Sequence, residues 1–229
     1  MNHLIGATLL ASLVILLLGY FLGCLNGSVM VSHFIIKDDV RQHGSGNAGL
    51  TNFYRTYGAK YALGVILFDM GKTVIACLIA SVIMKIVATI GGAAFDYLAG
   101  DWMLGVLLGG LGCELGHMFL VFFGFKGGKG ILSGGTLVWL LDWRVGLIAW
   151  GLFAALWLLT KYVSLGSVCA AASMPITTFF FCGRSILYTA LAVLIAALVI
   201  WCHRENITRL LHRQERKFQW HTGTPKEKE

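Results

Sequence analysis

The chain has 229 residues, of which 57% are hydrophobic and only 13% are charged. A soluble globular domain carries about 25% charged residues, so this composition excludes an ordinary soluble domain and indicates a polytopic membrane protein. The formal net charge of +7 could suggest a nucleic-acid partner, but the basic residues lie in short loops and a tail, where they are typical of membrane topology and contact with lipid.

Long apolar runs predict an all-α polytopic membrane protein with about seven transmembrane helices. About 20 apolar residues suffice to cross the hydrocarbon core of a bilayer. The predicted spans cover residues 4–25, 59–84, 102–122, 131–141, 145–160, 167–182 and 185–202, and a weakly apolar connection covers 85–100. Because no Lys or Arg precedes the first span, we expect that span to be retained rather than cleaved as a signal peptide.

The distribution of Lys and Arg predicts the orientation of the chain. Fourteen of these residues lie in the tail and in the loops on the side of the glycine-rich stretch at 44–55, and three lie on the opposite side. The positive-inside rule therefore places the N-terminus outside and the C-terminus in the cytoplasm. We expect residues 1–215 to form a single integral membrane domain and residues 216–229 to form a polar, basic and disordered tail.

The polar stretch at residues 44–55 has the sequence GSGNAGLTNFYR. Its glycines free the backbone to curl so that successive N–H groups point inward and form an anion-binding concavity. The side chains that can bind the same anion are Ser45, Asn47, Thr51, Asn52 and the cation Arg55. The stretch therefore predicts a phosphate site, and the alternative is a flexible loop between helices.

The same stretch matches the glycine spacing of a dinucleotide-binding motif at Gly44, Gly46 and Gly49, and Asp69 lies twenty residues beyond the last glycine. In that motif a strand precedes the glycines, and the acidic residue ends a second strand. Here no strand pattern precedes the glycines, and Asp69 lies in an apolar helix. The context therefore rejects a dinucleotide site.

A second glycine-rich basic loop lies at residues 124–130, with the sequence GFKGGKG. Glycines on both sides of Lys129 let its ammonium group and the backbone amides approach an anion together. The loop is not a Walker A motif, because Phe123 occupies the position that requires the first glycine. It predicts a second phosphate cradle, and the alternative is a basic anchor at the membrane interface.

Two pairs of ionisable residues lie well inside the predicted spans. Asp69 and Lys72 are three positions apart and share a helix face, and Glu114 and His117 repeat this spacing. An ionisable pair inside a membrane is by default a functional hypothesis, and a purely structural ion pair is the alternative. For His117 we expect a structural, hydrogen-bonded role.

The last span is followed by the polar sequence HRENITR at residues 203–209. On a helix that continues past the membrane, His203, Asn206 and Arg209 share one face. That face can point back towards the two glycine-rich segments. The alternative is a basic anchor at the end of a helix.

The cysteines indicate neither a metal site nor a disulfide framework. All six are scattered, mostly inside apolar runs, without a CxxC pair or a His/Cys cluster. They are typical of small apolar packing residues.

Taken together, these segments resemble the bacterial acyl-phosphate:glycerol-3-phosphate acyltransferase family (PlsY). The matching segments are GSGNAGLTNFYRTYG at 44–58, DMGK at 69–72, GHMFLVFFGFKGGKG at 116–130, KYVSLGS at 161–167 and HRENITRLL at 203–211, followed by Glu215. They occur in the family's order and extend over nearly the whole chain, which makes the resemblance specific.

The resemblance implies transfer of a fatty acyl group from acyl-phosphate to the 1-hydroxyl of glycerol 3-phosphate. The products are lysophosphatidic acid and inorganic phosphate, in the first step of phospholipid synthesis. It further implies contact with membrane lipid and a location in the bacterial inner membrane, with the site at the cytoplasmic face. We expect no cofactor, no metal and no nucleic-acid partner. The sequence does not indicate whether the protein is a monomer or an oligomer.

Carried over to this sequence, the resemblance implies three groups of site residues. The catalytic group is Lys129, His203 and Asn206. The group that binds the substrates and their phosphates is Ser28, Ser45, Gly46, Asn47, Gly49, Thr51, Asn52, Arg55, Lys126, Gly127, Gly128, Ser164 and Ser167. The supporting group is Asp69, Lys72, His117, Arg209 and Glu215.

The implied mechanism uses both phosphate cradles. We expect residues 44–52 to hold the phosphate of acyl-phosphate. The residues expected to hold glycerol 3-phosphate and orient its hydroxyl for attack are Arg55, Lys129, His203 and Asn206. Lys129 or nearby amides stabilise the charge that develops on the carbonyl oxygen. The proton is accepted either by the phosphate of the activated donor or by His203.

Three other functions fit parts of the sequence. A transporter for a phosphorylated solute also needs charges and anion cradles, but it predicts them near the bilayer midplane. A structural membrane subunit predicts no requirement for Lys129. His33 and Asp38 fit the HxxxxD pattern of a different class of glycerolipid acyltransferases, but none of that class's other sequence blocks occurs here.

Overall fold

The structure, a computed structural model, describes residues 2–91 and 102–219. Within these ranges every regular element is helical, which confirms the predicted all-α class. The α-helices of the described ranges are α1 (Asn2–Gly23), α2 (Gly27–Met30), α3 (Leu50–Tyr57), α4 (Ala62–Gly91), α5 (Trp102–Met118), α6 (Ile131–Leu141), α7 (Trp143–Thr160), α8 (Val163–Phe181), α9 (Ile186–Cys202) and α10 (Arg204–Leu211).

The described residues contain five helical stretches that are long and apolar enough to cross a membrane. These are Ile5–Ile36, Ala62–Ile90, Trp102–Phe123, Trp143–Thr160 and Val163–Phe181. Helices α9 and α10, with a bend of 60° between them, form a sixth candidate. Helix α6 is apolar but has 11 residues, or about 16 Å at 1.5 Å per residue, which is about half of the hydrocarbon core. The polytopic architecture is confirmed, and the predicted count of seven requires α6 to be a shortened span.

Two predicted segments lie partly outside the described residues. Helix α4 continues into the predicted connection at 85–100 as far as Gly91, and residues 92–101 are outside the described ranges. Of the predicted tail, residues 220–229 are outside them as well. The described part, 216–219, contacts α3 and α7 through the ring of Phe218.

Small residues let α1, α4 and α5 pack with their backbones in contact. A side chain at Gly23 on α1 would collide with the backbone of α5 at Cys113. On the opposite side of α5, a Cβ at Gly109 would lie 2.8 Å from the carbonyl oxygen of Ala76 on α4. Membrane helices associate closely through such small residues. This packing brings the ends of α1 and α5 beside the first turns of α4.

The outer surface of the bundle is apolar, and the polar connections gather at one end. Leu9, Leu159 and Ile186 are 66%, 81% and 84% exposed, as expected for side chains that face lipid. The connections at 24–61 and 119–130, the turn at 161–162 and the segment after α9 are joined to one another by hydrogen bonds. We call this end of the bundle the glycine-loop end.

Candidate active site

The two glycine-rich segments contact each other directly. The backbone N–H of Ala48 donates a 3.3 Å hydrogen bond to the carbonyl oxygen of Gly127. The Asn26 amide donates a 3.0 Å bond to the carbonyl oxygen of Ala48, and Arg41 Nη1 donates a 2.7 Å bond to that of Phe123. Both predicted cradles therefore belong to one site. Sequence reasoning missed Asn26 and counted Arg41 only as a topological charge.

Asn52 determines the shape of the first loop. Its Nδ2 group lies 3.1, 3.0 and 3.1 Å from the carbonyl oxygens of Val40, His43 and Asn47. Its Oδ1 accepts a 2.9 Å bond from the backbone N–H of Ser45. Because this buried amide uses its donors and its acceptor within the protein, Asn52 holds the loop in position and its side chain has no donor left for a phosphate.

The residues at 44–51, which form the first loop and the start of α3, carry backbone N–H groups that can bind an anion. Gly44 and Gly46 adopt φ values of +61° and +71°, which favour glycine. Gly49 begins α3 without a side-chain cap, so the first N–H groups of this helix are available to an anion. The side chains of Asn47 and Thr51 are half-buried there, and Ser45 is exposed.

A hydrogen-bond network centred on Glu215 holds the second loop against α10. The ammonium of Lys129 donates to Asn206 Oδ1. The Asn206 amide donates a 2.7 Å bond to Glu215 Oε1, which also accepts a 2.7 Å bond from Ser164. Arg209 Nε donates a 2.8 Å bond to Glu215 Oε2. The predicted face of Asn206 and Arg209 thus does point towards the Lys129 loop, and Glu215 orients both residues.

The surroundings of this network lower the pKa of both Lys129 and Glu215. Burial lowers the pKa of Lys129 below the ordinary lysine range, and the charge of Arg209 adds to the shift. For Glu215, burial would raise the pKa, but hydrogen bonds from Ser164, Arg209 and Asn206 outweigh it and lower the pKa. Lys129 and Asn206 therefore lie beside an ionised Glu215.

His203 lies at a bend, although the sequence predicted a helix that continues without interruption. The carbonyl oxygen of Val199 accepts both the backbone N–H of His203, at 3.2 Å, and its side-chain Nδ1–H, at 2.8 Å. This competition for one carbonyl favours the 60° bend between α9 and α10. Since the carbonyl can only accept, Nδ1 carries the hydrogen, and Nε2 of the neutral ring is left as an acceptor.

A buried ionic cluster joins α1, α4 and α5 beneath the loops. Lys72 Nζ lies 2.8 Å from Asp69 Oδ1, 3.0 Å from the carbonyl oxygen of Gly23 and 3.0 Å from His117 Nδ1. Asp69 Oδ1 also accepts a 2.9 Å bond from the backbone N–H of Gly27. These groups are paired with one another and with the backbone, so their contacts are structural.

The cluster also supports the second loop through His117. The backbone N–H of Gly128 donates a 3.0 Å bond to the carbonyl oxygen of His117. A side chain at Gly128 would collide with the imidazole ring, so this close approach requires glycine. His117 is 3% exposed and hydrogen-bonded, as the sequence predicted. It positions the residues next to Lys129.

Glu114 is a buried carboxyl group that the network does not use. Neither of its side-chain oxygens has a hydrogen-bond partner among the described residues. The carboxyl lies beside Gly130 and Gly134 at the start of α6, and a side chain at Gly130 would collide with it. Sequence reasoning paired Glu114 with His117 only through their spacing.

The remaining predicted residues are distributed around the site. Ser28 is fully buried, and its hydroxyl has no partner within the part of the chain that the structure describes. Ser167 bonds to the carbonyl oxygen of Val163 within α8. The side chain of Lys126 is exposed, and that of Arg55 is half-buried beside the carbonyl oxygen of Arg216.

The structure does not favour the other motifs. Asp38 pairs with His43 Nε2 at 2.8 Å, and His33 is exposed, so the HxxxxD residues form no acid–base pair with each other. Asp69 lies inside α4, where it pairs with Lys72. The described ranges contain no β-strand, so the dinucleotide-binding motif lacks the strands it requires. Among the described residues there is no group of three or more His, Cys, Asp or Glu that could hold a metal ion.

Known proteins resemble this chain over most of its length. A family model described as glycerol-3-phosphate acyltransferase matches residues 13–213. Relatives of that name include one from Synechococcus sp. (strain CC9902), 38% identical over 89% of this chain and 93% of the relative. Another from Finegoldia magna is 35% identical over 87% and 92%, respectively.

Two solved structures of PlsY, an integral membrane glycerol 3-phosphate acyltransferase, share the fold. The glycerol 3-phosphate form has a TM-score of 0.75 and 34% identity, and the match covers 91% of this chain and 96% of that one. The lysophosphatidic acid form has a TM-score of 0.73 and 33% identity, with coverage of 91% and 95%.

Proposed function

This chain belongs to the glycerol-3-phosphate acyltransferase family, and on that basis we propose that its acyl donor is acyl-phosphate. The chain is a membrane acyltransferase of phospholipid biosynthesis. The proposed reaction moves a fatty acyl group to the 1-hydroxyl of glycerol 3-phosphate and gives lysophosphatidic acid and inorganic phosphate.

The observation that carries the donor proposal is the meeting of two anion cradles in one site. The Ala48–Gly127 bond joins the first loop to the second, and the Lys129–Asn206 bond joins the second loop to α10. A donor that carries its own phosphate needs a second cradle beside the one for the acceptor. An acyl-thioester has no phosphate on its acyl carbon, so it would leave the cradle beside the reacting carbonyl without a phosphate to bind.

The first loop and the start of α3 form the proposed donor cradle. It contains the uncapped N–H groups beyond Gly49 and the half-buried side chains of Asn47 and Thr51. The buried hydroxyl of Ser28 is a further donor to the same phosphate. Backbone N–H groups at a helix N-terminus bind a phosphate without requiring a buried cation.

The second loop, α10 and Arg55 form the proposed acceptor cradle. Lys129 and Arg55 supply charge for the phosphate of glycerol 3-phosphate. Asn206, which Glu215 holds in place, orients the glycerol hydroxyl groups. This arrangement converts the encounter of two substrates into a reaction between two positioned groups.

The proposed chemistry is a single acyl transfer. The 1-hydroxyl oxygen attacks the carbonyl carbon of acyl-phosphate, the new C–O bond forms, and the C–O bond to phosphate breaks. Lys129 and the amides of its loop stabilise the charge on the carbonyl oxygen. The hydroxyl proton passes to Nε2 of His203, which the bond from Nδ1 to the Val199 carbonyl leaves as an acceptor, or to an oxygen of the leaving phosphate.

The proposed topology places this site at the cytoplasmic face of the bacterial inner membrane. With α6 as a shortened span, seven crossings put the N-terminus outside and the C-terminus in the cytoplasm. The excess of Lys and Arg at the glycine-loop end supports this orientation. Residues 1–215 form the membrane domain. Acyl-phosphate, whose acyl chain is apolar, enters the site from the surrounding bilayer.

The donor is tested with the purified full-length chain, glycerol 3-phosphate, and either palmitoyl-phosphate or a palmitoyl-thioester. We expect one phosphate released per lysophosphatidic acid formed from palmitoyl-phosphate, and no transfer from the thioester. Lys129→Ala should lower the rate of release by about 10²–10³-fold, while Lys60→Ala, at an exposed position, should retain it. Transfer from the thioester alone would overturn the donor proposal. Uptake of a phosphorylated solute into vesicles without acyl transfer would favour a transporter.

A further inference from the structure

A positively charged cleft lies beside the proposed acceptor cradle. It has a volume of about 360 Å³, and its lining residues are Arg55, Arg216, Lys217 and Gln219. Two of its three cations lie beyond residue 213, where the match to the family model ends. Residues 215–219, which we call the C-terminal strap, therefore add charge to this end of the site.

The C-terminal strap is docked on the bundle. The backbone N–H of Phe218 donates a 2.8 Å bond to the carbonyl oxygen of Lys161. The Phe218 ring stacks on Tyr54 with centroids 5.6 Å apart, and its edge meets Trp157 at 5.4 Å. Glu215 anchors the other end of the strap through Ser164. These contacts fix Arg216 and Lys217 at the cleft.

The three cations of the cleft are not neutralised within the described residues. The only hydrogen bond that Arg55 makes there is a 3.4 Å bond to the carbonyl oxygen of Arg216. No carboxylate in the described ranges lies within 4.0 Å of a charged nitrogen of Arg55, Arg216 or Lys217. The nearby Glu215 has both oxygens bonded to other groups.

Two other cations at this end of the bundle, Arg41 and Arg209, are paired with carboxylates. Arg41 lies 2.8 Å from Asp39, and Arg209 lies 2.8 Å from Glu215. Lys217 Nζ lies over the ring of Tyr162, 5.8 Å from its centroid, but none of the three cations has a carboxylate partner within the described part of the chain. Their mutual repulsion is relieved by a bound anion. A phosphate monoester carries close to two negative charges at neutral pH and can accept the forked donors of an arginine side chain.

We propose that Arg216 and Lys217 bind, together with Arg55, the phosphate monoester group of a glycerol phosphate. This inference rests on the proposed function, because it places the cleft on the path of the acceptor. The phosphate comes from free glycerol 3-phosphate or from the headgroup of the lysophosphatidic acid product, which carry the same group. The charge of the cleft raises the local concentration of either one.

The test compares two double variants of the full-length chain. Arg216→Gln/Lys217→Gln removes two charges from the cleft. The matched control, Lys60→Gln/Arg204→Gln, removes two charges from exposed side chains that stack on their neighbours Tyr61 and Trp201. The measurements are KM and kcat for glycerol 3-phosphate at low and at physiological ionic strength, and inhibition by lysophosphatidic acid.

We expect the cleft variant to raise KM for glycerol 3-phosphate, or to weaken inhibition by lysophosphatidic acid, by about tenfold. A tenfold change is the loss of affinity that corresponds to about 1.4 kcal/mol of binding free energy. A change in KM identifies the free acceptor as the occupant, and a change in inhibition identifies the product headgroup. In either case kcat stays the same, and the effect shrinks with salt. Arg216→Lys/Lys217→Arg, which keeps both charges, should restore the lost binding.

Equal KM and equal inhibition in the cleft variant and the control would overturn the proposal. A failure of the donor proposal has a different signature, because the wild-type chain would then release no phosphate from palmitoyl-phosphate. In that case calorimetric binding of inorganic phosphate to the same variants still tests the cleft. Weaker binding than in the control supports it, and equal binding overturns it.

Discussion

The ammonium of Lys129 donates a hydrogen bond to Asn206 Oδ1, although the two residues lie far apart in the chain. Lys129 is held by a glycine-rich loop after α5, and Asn206 is on α10 after the last membrane helix. Glu215 fixes the Asn206 amide from the other side with a 2.7 Å bond. The second loop and the C-terminal segment therefore act as one unit.

The pH dependence of the reaction reports the charge of Lys129. Burial lowers the pKa of Lys129, so the free enzyme loses this positive charge at a lower pH than an ordinary lysine would. We expect kcat/KM for glycerol 3-phosphate to fall on the alkaline side, below the ordinary lysine range. In Lys129→Arg the guanidinium stays charged, so the fall should move to higher pH. An alkaline limb at the same pH in both proteins would show that another group titrates.

The substitution Asn52→Ala tests whether Asn52 shapes the first loop or binds the substrate. Asn52→Ala removes four contacts, each worth about 1 kcal/mol. We expect faster backbone hydrogen exchange at residues 40–47 in the protein without substrate, together with a loss of kcat/KM. Unchanged exchange with lost activity would mean that Asn52 acts on the substrate instead.

Gly128 tests the close contact between the second loop and α5. A methyl group in Gly128→Ala would collide with His117, and such overpacking costs about 1–3 kcal/mol. We expect a lower Tm and a loss of activity. The control is Gly71→Ala in α4, where no atom beyond the neighbouring backbone of the same helix lies within 4 Å of the added methyl group. That change should raise stability by about 0.5–1 kcal/mol. Equal Tm values for the two variants would contradict the observed contact.

Glu114 tests the cost of an unpartnered carboxyl group. A buried polar group without a hydrogen bond costs about 1–3 kcal/mol. Glu114→Leu keeps most of the volume and removes this cost, so we expect a higher Tm with activity retained. Glu205→Leu, at a side chain that is 72% exposed, should not raise the Tm. A loss of stability in Glu114→Leu would show that the carboxyl makes a favourable interaction.

The sequence predicts the helices well because lipid imposes a simple rule. A backbone in hydrocarbon must satisfy its hydrogen bonds internally, so a long apolar run becomes a helix. The predicted spans therefore agree with the observed helices within a few residues at most ends. Helix α6 is different, since its 11 residues satisfy the pattern but not the length.

The contacts within the site are less predictable, since they depend on tertiary packing. Residue types around the loops predicted phosphate chemistry, but they did not distinguish Asn47, whose side chain is half-buried, from Asn52, whose side chain bonds the loop itself. The bend at His203 depends on a side chain that competes for the carbonyl of Val199. No periodicity in the sequence encodes such a competition.

A double-mutant cycle on Lys129 and Asn206 tests the central claim, that the second loop and α10 form one catalytic unit. The measurement is kcat/KM for Lys129→Ala, Asn206→Ala and the double variant, with Lys129→Ala/Gln214→Ala as the control pair. We expect the double variant to be little worse than Lys129→Ala alone, which corresponds to a coupling energy of about 1–3 kcal/mol. The control pair should be additive. Additive losses for Lys129 and Asn206 would contradict the account.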